Sequence, residues 1–313
     1  MKQAQPLLCV GSLAFDDLEM PSGTFENVVG GAATYSSLAA SLLTSRVNLV
    51  GVVGEDFDPG TLSKLSSRGV DLEGVEHAKG KTFRWRGRYA ADLMTRETLD
   101  TQLNVFADFQ PKIPASYKRT PYVLLGNIHP SLQTDVVGQV EKPKLVAADT
   151  MNFWISGQPG PLAEMLKKID LLIINDEEAR ELSGIQNLTK AARDIRGRGP
   201  SRLIIKRGEF GALLFDAEGA FFVPAYPLED VRDPTGAGDS FAGGFMGYVA
   251  RTDDPSPAGL RRAMFYASAL GSFCVEDIGT RRLLEVDSRA LSERIASFAR
   301  LVDYGGGASL QLG

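Results

Sequence analysis

Short, uniformly apolar runs alternate with longer amphipathic stretches along most of this chain. PLLCVGSL (6–13), RVNLVGVVG (46–54), PYVLLG (121–126), KLVAA (144–148), LLII (171–174) and RLIIK (202–206) read as strands. They do not alternate with polar residues, so burial on both faces is expected, as in a parallel sheet covered by helices. Between them, GGAATYSSLAASLL (30–43) predicts a helix rich in small residues, and DPGTLSKLSSRG (58–69) predicts a helix stopped by Gly69. This order of elements predicts α/β layering.

One segment departs from that rhythm. In KTFRWRGRYA (81–90), Phe83, Trp85 and Tyr89 fall on one face and Thr82, Arg84, Arg86 and Arg88 on the other. TLDTQLNVFA (98–107) follows after a polar turn. Period-two patterning of this kind predicts strands with one dry and one wet face. A surface hairpin and a lid outside the main sheet both fit it. Three large aromatics on one face favour the lid. If that face meets a partner's lid, a homodimer follows; if it covers the chain's own site, a monomer serves equally.

Composition sets limits. The chain has 313 residues, 43% hydrophobic and 23% charged, which is ordinary for a globular protein. No linker divides it, so a single domain over 1–313 is expected. Formal net charge is −5, and no basic stripe suggests a nucleic-acid partner. No run approaches the ~20 apolar residues of a membrane span, and the first apolar run is too short for a secretory signal. A cytoplasmic protein without membrane contact is expected. Cys9 and Cys274 each sit in an apolar run, which predicts buried, reduced thiols. The two histidines, His77 and His129, lie far apart, which argues against a histidine metal centre or a Ser-His-Asp triad. DYGGGASLQLG (303–313) reads as a flexible tail.

The candidate chemistry lies in VRDPTGAGDSFAGGF (231–245). It is not a dinucleotide fingerprint: Phe241 stands where the third glycine belongs, and the stretch lies late in the chain. It is not a Walker A loop, since no lysine follows Gly243-Gly244. What remains is a turn into a helix that begins near Ala237. The amides of Gly236, Ala237, Gly238 and Asp239 would be unpaired donors in its first turn. Such an end attracts a phosphate, or negative charge that develops in a reaction. Asp239 is read there either as a favourable N-terminal acid or as a reacting carboxylate.

DPTGAGDSF (233–241) closely resembles the C-terminal signature of the ribokinase-like (PfkB) carbohydrate and nucleoside kinases. Further pieces match in order. GSLAFD (11–16) resembles the first strand and its substrate-binding Asp, at Asp16, with Asp17 its competitor. Gly30-Gly31 matches the paired glycines of the substrate loop, NDEEA (175–179) the Asn-x-x-Glu motif at Asn175 and Glu178, and KRGEFGALLF (206–215) a strand and turn with Gly208 and Gly211. ALGSFCVEDIGT (269–280) resembles the segment bordering the adenine. The resemblance implies a ribokinase-like three-layer α/β sandwich, a mostly parallel sheet between helices, with a small β lid near 12–28 and 81–107.

It also implies roles. Asp239 would be the general base on the acceptor hydroxyl, and Gly236, Ala237 and Gly238 the anion hole. Asp16, Gly30, Gly31, Tyr35 and Asn152 would meet the substrate. Asn175, Glu178, Lys206, Gly208, Gly211, Thr235 and Gly279 would line ATP, with Glu178 ordering Mg²⁺ through water. Asp233 is placed for the K⁺ site of some relatives. On the residues alone, Glu178 is a solvated helix acid among Asp176, Glu177 and Glu181; the motif match reverses that. Tyr35 stands where sugar-specific relatives often carry Asn, and Asn152 belongs to a differently spaced Asp/Asn element, DTMNFWI (149–155). Trp154 would either stack on a ring or pack in the core. The expected activity is therefore ATP-dependent phosphorylation of a sugar, cyclitol or nucleoside hydroxyl. The alternatives are an inactive ligand-binding regulator on the same fold, which should have lost the base or the glycine hole, and a nicotinamide oxidoreductase, which lacks its fingerprint.

Overall fold

The computed structural model describes residues 3–303; the sequence-predicted tail lies almost wholly outside them. Thirteen strands run in chain order: β1 (Leu7–Val10), β2 (Ala14–Met20), β3 (Gly23–Gly30), β4 (Val47–Val53), β5 (Val70–His77), β6 (Phe83–Tyr89), β7 (Arg96–Gln102), β8 (Tyr122–Leu125), β9 (Leu145–Ala148), β10 (Leu171–Asn175), β11 (Arg202–Lys206), β12 (Ala212–Asp216) and β13 (Gly219–Val223). Nine of them form one sheet in the order β13-β12-β11-β10-β9-β8-β1-β4-β5. Its pairings are parallel from β11 through β5, and β12 and β13 add an antiparallel edge.

The uniform apolar runs are explained by two cores. Leu7 and Cys9 of β1 enter one, with the helices Ala32–Ser41, Ala237–Thr252 and Pro257–Cys274. Leu8 and Val10 enter the other, on the opposite face, with helices that include Pro130–Gln139 and Leu188–Arg196. Strands with both faces dry need no polar alternation. Small residues bring the helices of the first layer into close contact. A Cβ on Gly247 would lie 2.9 Å from Ala40 Cα, so the Ala237–Thr252 helix packs backbone to backbone on Ala32–Ser41. Cys9 and Cys274 are buried and free.

The period-two segment is a separate sheet, with order β3-β2-β6-β7. Its strands fall where the lid was expected, and β2 runs parallel to β6. The aromatic face turns inward. Tyr89 is buried and its hydroxyl lies 2.9 Å from Thr235 Oγ1, while Phe83 stacks on Phe106 at 5.3 Å. The outward face carries an ion-pair ladder: Arg84 with Asp17, and Arg86 and Arg88 with Glu19. Arg86 and Arg88 are 52% and 53% exposed. Tyr89 and Phe83 of this face thus pack within the chain itself.

Candidate active site

The carboxyl ends of three neighbouring parallel strands deliver the floor of the site, as open α/β sheets generally do. Asp149 follows β9, Asn175 ends β10 and Lys206 ends β11, with Asn175 and Lys206 in register. Lys206 Nζ donates to Asp149 Oδ2 at 3.3 Å. Burial alone would depress the lysine's pKa, but Asp149, Glu178 and Asp239 outweigh it and hold the ammonium above its ordinary value. The same Nζ lies 3.0 Å from where a Cβ on Gly238 would be.

Asn175 and Glu178 form a capping box. Asn175 Oδ1 accepts from the Glu178 amide at 2.8 Å, and Glu178 Oε2 accepts from the Asn175 amide at 2.7 Å. The Asn-x-x-Glu spacing is therefore a helix-start device first. It fixes a buried carboxylate whose Oε1 is not used by the cap. Burial, then Asp149, raises the Glu178 pKa, and Lys206 opposes both.

Above this floor the 233–239 loop turns into the Ala237–Thr252 helix. Gly236 is its N-cap, in the left-handed region at φ +75°, and no side chain caps the first turn. A Cβ there would also run into the Tyr35 ring, which lies beneath the glycine. The loop is clamped from Asp233, whose two carboxylate oxygens accept from the Thr235 and Gly279 amides at 2.8 Å each. Gly279 is itself left-handed at φ +62°. Asp239 sits in the first helical turn. Burial and Asp149 push its carboxyl up to about 6, and Lys206 and Arg96 restrain the rise.

The lid closes the third side. Asp16 of β2 is 4% exposed and lies against Gly30, where any Cβ would overlap its carboxylate. Burial, with Asp233 and Asp239 nearby, pushes Asp16 up to about 8; Arg96 opposes this. The β6–β7 turn reaches across to the Gly208–Gly211 loop, so that a Cβ on Gly208 would fall 2.8 Å from Met94 Cε. Gly208 and Gly211, at φ +54° and +83°, flank the one-turn Gly208–Phe210 helix.

The sequence pattern of the pfkB family carbohydrate kinases matches residues 7–287. The chain belongs to that family. Its activity class is phosphoryl transfer to an alcohol. A cytidine kinase of Thermococcus kodakarensis is 31% identical over 250 residues, covering 78% of this chain and 88% of the relative. A nucleoside kinase of Methanothermobacter thermautotrophicus is 27% identical over 313 residues, covering 90% and 93%. The ribokinase of Arabidopsis thaliana, solved with ribose and ATP, superposes with TM-score 0.75 at 21% identity, covering 94% of this chain and 99% of that one. At that identity the likeness concerns the fold.

In this pfkB-family chain most of the sequence-predicted residues converge. Asp16, Gly30, Gly31, Glu178, Lys206, Thr235, Gly236, Ala237, Gly238, Asp239 and Gly279 surround one cleft. Two placements differ from the sequence reading. Tyr35 is 1% exposed, with its ring under Gly236, so it supports the Gly236 turn and does not face the cleft. Asn152 is exposed at the start of the Asn152–Gly157 helix; the buried acid of that element is Asp149. Asp233 is fully buried and accepts from two amides, which makes it a clamp of the loop. Trp154 binds Asn127 through Nε1 at 2.8 Å and packs edge-on to His129. Sequence reasoning passed over Arg96, which only the β6–β7 register with Tyr89 brings to the cleft. Asp149 carried one usable signal, an acid at the very end of an apolar strand.

Proposed function

We propose that the chain transfers the γ-phosphoryl group of ATP to a hydroxyl of a sugar-like acceptor, with Asp239 as general base. One observation carries this reading: a half-buried carboxylate, Asp239, sits in the first turn of a helix that starts at Gly236 and that no side chain caps, and a lysine ammonium flanks that turn. Asp239 accepts the hydroxyl proton as the acceptor oxygen attacks. The amides of Gly236, Ala237 and Gly238, with Lys206 beside them, stabilise the charge on the transferring phosphoryl. Asp16 accepts hydrogen bonds from the acceptor's other hydroxyls. The inward lid face excludes water, which limits hydrolysis of ATP.

Mg²⁺ supplies charge neutralisation on the nucleotide phosphates when it accompanies them. Glu178 Oε1 and Asp149 offer hard carboxylate oxygens, a donor type that suits a Mg²⁺ keeping several waters. Gly208 and Gly211, in the loop after β11, would line the rest of the nucleotide.

The test is to incubate the chain with ATP, Mg²⁺ and a panel of sugars, cyclitols and nucleosides, and to identify products by phosphorus NMR. A phosphomonoester on one acceptor, equimolar with ADP, is the expected result. ADP formed at one rate regardless of acceptor would contradict the proposal.

A further inference from the structure

One arginine of the lid differs from the rest. Arg84, Arg86 and Arg88 each hold a carboxylate on the outer face. Arg96 is exposed and holds none among the described residues. In the antiparallel β6–β7 pair it stands opposite Tyr89, and directly opposite residues share a face. The neighbouring pair, Arg88 and Glu97, points outward and is joined by an ion pair. Arg96 therefore leaves the inner face, on the cleft side of the lid.

Two contacts fix where along the cleft it stands. The Tyr89 hydroxyl lies 2.9 Å from Thr235 Oγ1, one residue before the Gly236 turn. Met94, two residues before Arg96, lies against Gly208, just past Lys206. Arg96 is thus bracketed by the lid's contacts with the two loops that flank the Gly236 turn. Its guanidinium lies over the Trp85 ring, 5.5 Å from the centroid, and Trp85 is in register with Asp16. The side chain accordingly runs along the lid from the Thr235 side toward Asp16. Cation–π attraction steadies it there but gives it no counter-anion.

The cleft lacks positive charge. Asp16, Asp149, Glu178 and Asp239 gather around it, and Lys206 is already bonded to Asp149. The charge of Arg96 is felt at Asp16, Glu178 and Asp239, where it opposes the rise of each carboxyl. A guanidinium presents a planar fork of N–H donors that matches phosphate oxygens two at a time.

We propose that Arg96 is a catalytic residue of the transfer, its guanidinium donating from the lid to the oxygens of the γ-phosphoryl group. This rests on the phosphotransfer reading above. As the acceptor oxygen bonds to phosphorus, the bond to the ADP oxygen breaks and the acceptor proton passes to Asp239; Arg96 stays protonated throughout and stabilises the charge on the moving group.

The test compares Arg96→Met, Arg96→Lys and, as an outer-face control, Arg88→Met, each with its melting temperature checked. With the acceptor found for the parent, Arg96→Met should lower kcat about a hundredfold and leave the acceptor KM within about threefold. Arg96→Lys, which keeps the charge without the fork, should recover part of the rate, and Arg88→Met should match the parent. By calorimetry with Mg²⁺, the parent should prefer the β,γ-imido analogue of ATP over ADP. Arg96→Met should cut that preference about tenfold with ADP affinity unchanged. A folded Arg96→Met chain that keeps both the parent kcat and the preference overturns the proposal. So does a raised acceptor KM with kcat kept, which would place Arg96 on the acceptor. If the parent forms no phosphomonoester with any acceptor, the phosphotransfer reading fails separately, and the analogue preference alone decides whether Arg96 holds a γ-phosphoryl group.

Discussion

Lys206 Nζ stands 3.3 Å from Asp149 Oδ2, the two side chains meeting across β10 from the ends of β11 and β9. The pair sets the charge balance at Asp239, because Asp149 raises that carboxyl and Lys206 lowers it. A base must be ionised to act. The acceptor kcat/KM should therefore rise with pH through about 6 and level off above it. Lys206→Met should move this limb to higher pH as well as lowering kcat. A pH–rate profile of both chains checks it; an unmoved limb would show that Lys206 does not act on Asp239.

Asp16 costs stability that its role requires. The unfolded chain gives up this proton at the ordinary 3.8 and the folded chain at about 8. Between those values the folded state holds more protons, so this group's contribution to stability falls as pH rises across that window. Asp16→Asn removes the dependence. The variant should lose acceptor binding, yet melt several degrees above the parent at alkaline pH, with the gap closing near 3.8. Thermal melts across that pH range would show the converging curves.

Much of this layout was legible in the chain. The double-sided burial of β1, β4 and β8–β11 followed from runs without polar alternation, and the lid from the period-two face of Phe83, Trp85 and Tyr89. Gly236 to Asp239 announced itself as an uncapped helix start. The less legible parts depend on pairings that no local pattern encodes. Arg96 reaches the cleft through strand register, and Lys206 meets Asp149 across a strand lying between them. Tyr35 read as a hydroxyl-bearing substrate contact because the sequence could not show that Gly236 leaves room for its ring.

The Tyr35 hydroxyl is buried and has no hydrogen-bond partner among the described residues. Tyr35→Phe should leave the acceptor KM within about twofold of the parent and raise the melting temperature by a few degrees, since a buried unpaired hydroxyl costs stability. Tyr35→Ala would withdraw the ring from under Gly236 and should lower kcat. A large rise in KM for Tyr35→Phe would return Tyr35 to the substrate.

Glu178 combines a cap and a charge, and two substitutions separate them. Glu178→Gln keeps an oxygen for the Asn175 amide and should melt near the parent, while raising the Mg²⁺ concentration needed for half-maximal rate about tenfold or more. Glu178→Ala loses the cap too and should be less stable by about 1 kcal/mol. Melting curves and Mg²⁺ titrations of the pair distinguish the two functions; unchanged Mg²⁺ dependence in Glu178→Gln would leave the residue only its cap.

The central claim is that Asp239 removes the acceptor's proton beside the amides that hold the phosphoryl group. Asp239→Asn preserves size and most hydrogen bonding but cannot accept that proton. With the best acceptor, single-turnover phosphoryl transfer should slow about a thousandfold, while calorimetry shows ATP bound with affinity close to that of the parent. Transfer within a few fold of the parent rate, in a folded variant that binds ATP, would contradict the account.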